Sequence, residues 1–166
     1  MLIRALPFLL CLGLASPALA EEDKLLGRSG AWEAHKLLRD NETTCYAIAR
    51  PKSTLPKKLN RDETYFMVSY WPLRDKAGEP SIVAGYSYDD GSTAAVKLGK
   101  SSFHFFTKAD GAWLQEAKDE ARLVALMRKT KTMTVQGRSA RGTKTTDNYS
   151  LSGFGPALDK AAKACK

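Results

Sequence analysis

The stretch RGTKTTDNYSLSGFGPALDKAAKAC (141–165) contains a glycine turn, a polar strand and the start of a helix that ends in a cysteine. Pro156 lies near the predicted helix start, where proline is tolerated because its missing N–H would have no helical partner. Apolar residues then recur at three- and four-residue steps: Ala157, Leu158, Ala161, Ala162 and Cys165. This spacing predicts a C-terminal helix that packs one face, including its cysteine, against the fold.

The residues just before this helix are predicted to close the structure. Tyr149 and Leu151 alternate onto one face of a strand. Asp147 is expected to accept hydrogen bonds from backbone amides in a turn. Ser152 is a candidate N-cap for the helix, and Phe154 is expected to wedge against the sheet as the helix begins.

The chain before this stretch is dominated by alternation of apolar and polar residues, with many aromatic and β-branched side chains, which is typical of β-strands. The predicted strands span residues 31–38, 44–50, 64–71, 81–88, 93–98, 102–107 and 133–140. Residues 89–91 and 109–111 contain Asp-Gly steps, which supply the positive φ that hairpin turns require. The charged, proline-containing segment 50–63 is interpreted as a solvated loop.

A second helix is predicted within residues 116–131, because acidic residues fill its first turn and basic residues its last. Its apolar stripe is expected to be formed by Ala117, Ala121, Val124, Ala125 and Met127 or Arg128. Many short strands with short turns favour an antiparallel sheet. The fold class is therefore mainly β: a single antiparallel β-sandwich or barrel-like domain with one internal helix and a C-terminal helix held by a disulfide.

The N-terminal segment, residues 1–20, has the features of a cleaved secretory signal peptide: one cation, an apolar run over 6–14 and the pattern Ala18-Leu19-Ala20. The apolar run is about half the length of a membrane span, so no transmembrane segment is expected in the mature chain. The domain then spans residues 21–166. The sequence predicts an exported protein that is periplasmic, exposed on the outer surface or secreted.

Two cysteines remain in that mature chain, Cys45 and Cys165, because Cys11 lies in the predicted signal peptide. An even pair in an exported protein favours a disulfide. The alternative is two free thiols of a redox enzyme. That reading is less favoured, because the sequence has neither a Cys-x-x-Cys motif nor a histidine adjacent to a cysteine.

The charge of the chain is basic: 26 Lys and Arg against 18 Asp and Glu give a net charge of +8. Loss of Arg4 with the signal peptide lowers it to +7. Residues 121–146 contain no acidic side chain, and six of their cations form a candidate basic binding face: Arg128, Lys129, Lys131, Arg138, Arg141 and Lys144. Lys57 and Lys58 are expected to converge with some of these. The predicted partner is an anionic component of a cell surface or envelope. The alternative is an ordinary solvated surface.

Motifs for catalysis, metal binding and cofactor binding are not found in the sequence. His35 and His104 lie in predicted strands without a third metal ligand nearby, and each is interpreted as a half-buried structural histidine. The sequence has no Gly-x-Ser-x-Gly elbow and no phosphate-binding glycine loop. We therefore expect a protein that is not an enzyme and has no catalytic, metal or cofactor site. Nucleic acid is not an expected partner of an exported protein.

Aromatic side chains are dense in the central strands. They are Tyr65, Phe66, Tyr70, Trp71, Tyr86, Tyr88, Phe103, Phe105, Phe106 and Trp113. The favoured interpretation is core packing and cross-strand pairing. The alternative is a ligand platform, which would make the protein a periplasmic small-ligand-binding domain with its pocket in the aromatic interior.

The blocks DGAWLQ (110–115), LVALMRK (123–129) and MTVQGRSARGTKTTDNYSLSGFGPAL (133–158), followed by a helix with a cysteine, resemble the invasion-associated locus B family of bacterial exported proteins. The resemblance covers nearly all of the mature chain. It implies an α-proteobacterial periplasmic, surface or secreted protein, mainly β with a small helical part, linked in pathogenic members to entry into host cells. It implies no established enzymatic activity and supplies no catalytic residues.

Overall fold

The computed structural model describes residues 21–72 and 76–166, so the predicted signal peptide lies outside the described residues. The strands within this part are β1 (Glu22–Ser29), β2 (Trp32–Arg39), β3 (Glu42–Ala49), β4 (Ser53–Leu55), β5 (Tyr65–Trp71), β6 (Lys76–Val83), β7 (Thr93–Leu98), β8 (Ser101–Lys108), β9 (Gly111–Trp113), β10 (Thr132–Arg138) and β11 (Lys144–Ser150). The helices are α1 (Ala117–Met127) and α2 (Phe154–Ala164). Both fall short of the length and hydrophobicity of a membrane-spanning helix within the described chain.

These eleven strands of the described chain form one antiparallel sheet in the order β1-β2-β3-β5-β6-β9-β8-β7-β10-β11-β4. The predicted fold class is confirmed: the protein is mainly antiparallel β with two helices. All seven predicted strands are present: β7 has the predicted ends, and the ends of the other six are shifted. The largest shift is in β6, which ends at Val83 because the backbone turns at Gly85, where φ is +69°.

Strands β1, β4 and β9 were not predicted from the sequence. Strands β4 and β9 have three residues each, too few to show alternation. Strand β1 is an edge strand whose first four residues are all exposed, so it has no apolar face there to reveal it. Strand β4 lies within the segment 50–63 that was predicted to be a solvated loop, and this part of the prediction is wrong.

The sheet curls around a core of aromatic rings. The Phe66 ring on β5 packs edge-on against Phe105 on β8 and Tyr149 on β11, with centroid distances of 6.3 and 6.0 Å. Three strands that are far apart in the sheet order therefore meet on one face. The edge strands β1 and β4 are not paired with each other, so the sheet is barrel-like but unclosed.

Backbone and side-chain contacts, not strand pairing, bring β2 and β11 together across the core. The Ala31 N–H donates to the Ser152 carbonyl at 3.0 Å. The Trp32 indole Nε1–H donates to the Ser150 carbonyl at 2.9 Å, and the Trp32 side chain is fully buried. These two bonds join the β1–β2 turn to the end of β11.

Two glycines allow this close approach. A Cβ atom on Gly30 would lie 2.3 Å from the Ser152 carbonyl oxygen, and one on Gly153 would lie 1.9 Å from the Ser29 carbonyl oxygen. Both glycines also have positive φ, +54° and +88°. Neither position can carry a side chain unless the two backbone segments move apart.

Helix α2 closes the structure as predicted. The Phe154 ring is fully buried and packs on Trp32 with a centroid distance of 4.8 Å. The Cys45–Cys165 disulfide is present, with a Cα–Cα distance of 5.8 Å, and it joins β3 to the end of the helix. Three further side chains are buried on the same face: Ala157, Leu158 and Ala161.

The predicted N-cap is wrong. Residue Ser152 makes no side-chain cap, and the helix begins instead from Gly153, whose left-handed conformation turns the chain. The Ala157 N–H donates to the Gly153 carbonyl at 3.1 Å, so the first helical hydrogen bond starts there. The close approach to the β1–β2 turn requires glycine at this position, which excludes a capping side chain.

The predicted apolar stripe of α1 is wrong in part: Met127 is buried and Val124 packs partly buried against the core as predicted, but the predicted alanines do not. Ala117, Ala121 and Ala125 are exposed, and the buried face carries Glu120, Leu123 and Met127. Burying Leu123 and Met127 removes more apolar area from water than burying three alanines would. The acidic residues in the first turn are present as predicted, but the helix ends at Met127, so the predicted basic residues follow it.

The two predicted hairpin turns differ in outcome. Residues 109–110 join β8 to β9, with Lys108 opposite Gly111 and a φ of +53° at Ala109, so this hairpin is confirmed. At the other site the Ser92 N–H closes a turn onto the Asp89 carbonyl at 2.9 Å. However, that turn does not join two paired strands, because β7 pairs with β8 and β10.

Candidate functional site

Three cations of the predicted basic face lie together at one end of the β10–β11 hairpin. Arg138, the last residue of β10, is the register partner of Lys144, the first residue of β11, and Arg141 lies in the turn between them. All three are exposed. We call Arg138, Arg141 and Lys144 the basic tip. Arg138 pairs with Asp89 at 3.2 Å, whereas Arg141 and Lys144 have no ion-pair partner in the described part of the chain.

The other three predicted cations lie at the opposite end of β10. Arg128, Lys129 and Lys131 come between α1 and β10, and the seven residues of β10 separate them from the basic tip by about 20 Å. The Arg128 guanidinium donates to the Asp159 carboxylate of α2 at 2.6 Å. The structure therefore divides the predicted face into two groups at opposite ends of one strand.

Lys57 and Lys58 lie in the turn that follows β4, and both are exposed. The pairing of β4 with β11 ends at Leu55, opposite Thr146, before these two lysines. Their convergence with the basic face stays a prediction.

A cavity of about 560 Å³ lies beside the basic tip. Its walls are the chain segment 59–62, the segment 85–87 and the β10–β11 turn. Side chains that can form hydrogen bonds line much of it, including Asn60, Tyr86, Ser87, Ser139, Arg141 and Thr143. We call this space the tip cavity.

A buried ion pair, Arg61–Asp147, stands at the wall of the tip cavity. The two side chains are only 7% and 4% exposed. Arg61 Nη1 donates to Asp147 Oδ2 at 3.0 Å and to the Ala84 carbonyl at 3.3 Å, and Nη2 donates to Asp147 Oδ1. The Thr54 hydroxyl donates to the same carboxylate at 2.8 Å. Asp147 thus binds side chains, and the expectation that it accepts turn amides is wrong.

The charge on Arg61 is maintained by its partner. Burial opposes the charged guanidinium, but the hydrogen bonds and negative charge of Asp147 outweigh that effect and raise the pKa of Arg61 above its ordinary value. Arg61 therefore keeps its charge, and its bonds to Asp147 fix the segment 59–62 to β11. Sequence reasoning missed Arg61, because an arginine in a polar loop carries no local sign of burial.

Tyr86 lines the tip cavity and contacts a second tyrosine, Tyr88. The Tyr86 and Thr145 hydroxyl oxygens are 2.6 Å apart, and the Tyr86 ring packs edge-on against Tyr88 at 5.3 Å. Gly137 makes room for this pair, since a Cβ there would lie 2.6 Å from the Tyr86 hydroxyl. The hydroxyl of the buried Tyr149 has no hydrogen-bond partner among the described residues.

Alkaline pH is expected to destabilise the protein through Tyr88 and Tyr149. Burial, followed by the charges of neighbouring groups, raises the pKa of both phenols above 10.0. Above about pH 10 these tyrosines ionise in the unfolded chain but not in the folded one, so each lowers the free energy of unfolding by about 1.4 kcal/mol per pH unit. Urea unfolding at stepped pH and phenolate absorbance of the folded protein check this. Full ionisation of all tyrosines near pH 10 without unfolding would contradict it.

The two histidines differ in environment. His35 is half-buried, stacks on the Tyr46 ring at 5.2 Å, and lies 3.1 Å from both the Asp23 and Glu33 carboxylates, so its predicted structural position is confirmed. His104 is exposed on β8, and the expectation of partial burial is wrong for it. The described residues include no group of three or more His, Cys, Asp or Glu that could hold a metal ion.

The aromatic side chains mostly pack in the core, as predicted. Phe66, Tyr88, Phe103 and Phe105 are buried. The main exception is Phe106, which is 46% exposed. The alternative prediction of a ligand platform placed a pocket in the aromatic interior. The tip cavity lies elsewhere, at the rim of the sheet, and Tyr86 is the aromatic residue that lines it.

Comparison with known families gives a match over most of the chain. A family model described as "Invasion associated locus B (IalB) protein" matches residues 38–162. The match runs from the end of β2 into α2 and includes the basic tip, the tip cavity and Arg61–Asp147. Neither the curated proteins nor the solved structures gave a match to the chain.

Proposed function

The chain belongs to the invasion associated locus B (IalB) family, and from that premise we propose that it is an exported, non-enzymatic protein that binds an anionic component of the bacterial envelope or of a cell surface. The binding surface is the basic tip. The observation that carries this proposal is the β10–β11 register, which brings Arg138 and Lys144 opposite each other with Arg141 in the turn between them.

The electrostatics of the basic tip support this role. Its three cations are neighbours in space, so their fields add within the 8 to 10 Å over which charges act at physiological ionic strength, roughly one Debye length. The exposed Arg138–Asp89 pair offsets part of this charge only weakly. The basic tip therefore presents a concentrated positive surface.

Export and the absence of catalysis are part of the same proposal. A structural disulfide persists in oxidising compartments, which supports export. Arg61 and Asp147 are committed to each other in a buried pair, so neither is free to act as a general acid or base. Periplasm, outer surface and secretion are all compatible with this function.

The test measures binding of the mature, oxidised protein to anionic phospholipid vesicles and to bacterial envelope vesicles at low and high salt. We expect binding to weaken with salt, because exposed charges are screened. Replacing Arg138, Arg141 and Lys144 with glutamate is expected to weaken binding by about tenfold or more, the combined effect of several surface charges.

A matched control separates the basic tip from net charge. Replacing Arg128, Lys129 and Lys131 with glutamate changes the charge by the same amount at the other end of β10. This control is expected to retain most of the binding. Equal losses in the two variants, or binding that ignores salt, would show that the basic tip is only a solvated surface.

A further inference from the structure

We infer that the tip cavity is a binding site for an acidic sugar, whose carboxylate pairs with Arg141 and whose hydroxyls bond to the polar side chains of the walls. This inference rests on the proposed function, since it names the chemical class recognised at the same end of the molecule. It places the recognition in a shaped cavity and not on the exposed charges alone.

The size of the tip cavity indicates a ligand with several functional groups. Its volume of about 560 Å³ falls within the roughly 300 to 1,000 Å³ of small-molecule sites. A free phosphate or sulfate would fill only a small part of this space. A sugar ring, or the end of an oligosaccharide, can contact several walls at once.

The walls suit a ligand rich in hydroxyl groups. Asn60, Asp62 and Ser87 line the tip cavity, and all three are exposed to solvent there. An amide, a carboxylate and a hydroxyl together offer both donors and acceptors. Sugar hydroxyls donate and accept in the same way, whereas a phospholipid would also need an apolar path for its acyl chains.

The charges of the walls indicate a single acidic group. Arg61 is neutralised by Asp147, which leaves Arg141 as the unpaired cation among the lining residues. A guanidinium binds a carboxylate with two parallel hydrogen bonds, which fixes orientation as well as charge. Asp62 would repel a multiply charged anion but accepts a hydrogen bond from a hydroxyl. A monoanionic sugar satisfies both side chains.

The tip cavity is held in shape by bonds that do not involve a ligand. The Asp62 N–H donates to the Gly85 carbonyl at 2.9 Å, and the Ala140 N–H donates to the Ser87 carbonyl at 2.8 Å. The Arg61–Asp147 pair fixes the remaining wall. A ligand would therefore pay little ordering cost on entry, which favours binding.

The experiment is calorimetric titration of the mature, oxidised protein with an acidic trisaccharide, a galactose trisaccharide in which one residue is galacturonic acid, and with the neutral galactose trisaccharide. The acidic trisaccharide is expected to bind. The affinity of the neutral trisaccharide is expected to be lower by about tenfold or more, because it lacks the charge-assisted bond to Arg141. Inorganic phosphate and carbohydrate-free anionic vesicles form the other two arms. Phosphate alone is expected not to displace the acidic trisaccharide.

Three variants locate the site. Arg141→Gln is expected to weaken binding of the acidic trisaccharide by about tenfold or more, while Lys131→Gln, at the far end of β10, leaves it unchanged. Ser87→Tyr keeps the charge but fills the tip cavity. It is expected to abolish sugar binding and to leave salt-dependent vesicle binding intact.

The possible outcomes separate this inference from the proposed function. Vesicle binding without acidic-sugar binding would overturn the inference and leave the proposed function standing. If the acidic sugar binds, and both Arg141→Gln and Ser87→Tyr weaken that binding, the inference is supported. This holds even if the vesicles fail to bind. Equal binding of the acidic and neutral sugars, or equal effects of Arg141→Gln and Lys131→Gln, would also overturn it.

Discussion

Removing the disulfide in a Cys45→Ala/Cys165→Ala variant is expected to lower the free energy of unfolding by about 4 kcal/mol. The two cysteines are 120 residues apart, so the bridge restricts the unfolded chain strongly; the chain-entropy relation gives about 4 to 5 kcal/mol for a loop of this length. The folded state is expected to survive, because Phe154 and Leu158 still bury α2 against the sheet.

Urea unfolding of the variant, the oxidised protein and the reduced protein checks this prediction. The variant and the reduced protein are expected to agree, and both to have a larger m-value than the oxidised protein, because their unfolded chains expose more surface. Hydrogen exchange is expected to increase first in the last turn of α2, next to Cys165. A loss below about 1 kcal/mol would mean that α2 packing, and not the bridge, secures the helix.

Breaking the buried ion pair in an Arg61→Met variant is expected to lower the free energy of unfolding by about 3 to 5 kcal/mol, because Asp147 is left as an uncompensated buried charge. The double variant Arg61→Met/Asp147→Leu is expected to recover much of this loss, since apolar side chains of similar volume often replace a buried pair without cost. Urea unfolding of both variants measures the difference.

Tyr149→Phe is the matched control for this experiment. It lies two residues from Asp147 on the same strand and removes a buried hydroxyl that has no partner in the described chain. Its expected effect is within about 1 kcal/mol of zero, with stabilisation the favoured direction, because no hydrogen bond is lost. If Arg61→Met proves as mild as Tyr149→Phe, the ion pair does not hold the segment 59–62 in place.

Most of the strands, α2 and the disulfide could be predicted from the sequence because their signals are local or nearly so. Strand alternation has a period of two residues, the apolar face of α2 repeats over a few residues, and two cysteines allow only one intramolecular pairing. The apolar pattern did not identify the buried face of a helix where two of its faces were similarly apolar. Helix α1 has alanines on one side and Leu123 with Met127 on another, and only packing against the sheet shows which side is buried.

The candidate site was predicted only in part. The sequence indicated a basic region, but the same run of cations lies at both ends of β10, and the strand register decides which of them are neighbours. Arg61 is 86 residues from Asp147, so no local pattern connects them. The tip cavity likewise exists only because three segments far apart in the chain meet there.

The sequence by itself determined that this protein is a mainly β, disulfide-bridged, basic domain. Composition, periodicity and the number of cysteines show this without any knowledge of which distant residues are in contact. Only the tertiary structure decided how those parts meet. It brought Gly30 and Gly153 into contact, buried Arg61 against Asp147, and placed Arg141 at the tip cavity. Each of these depends on contacts between distant residues, and such contacts are fixed by strand register and by the curl of the sheet.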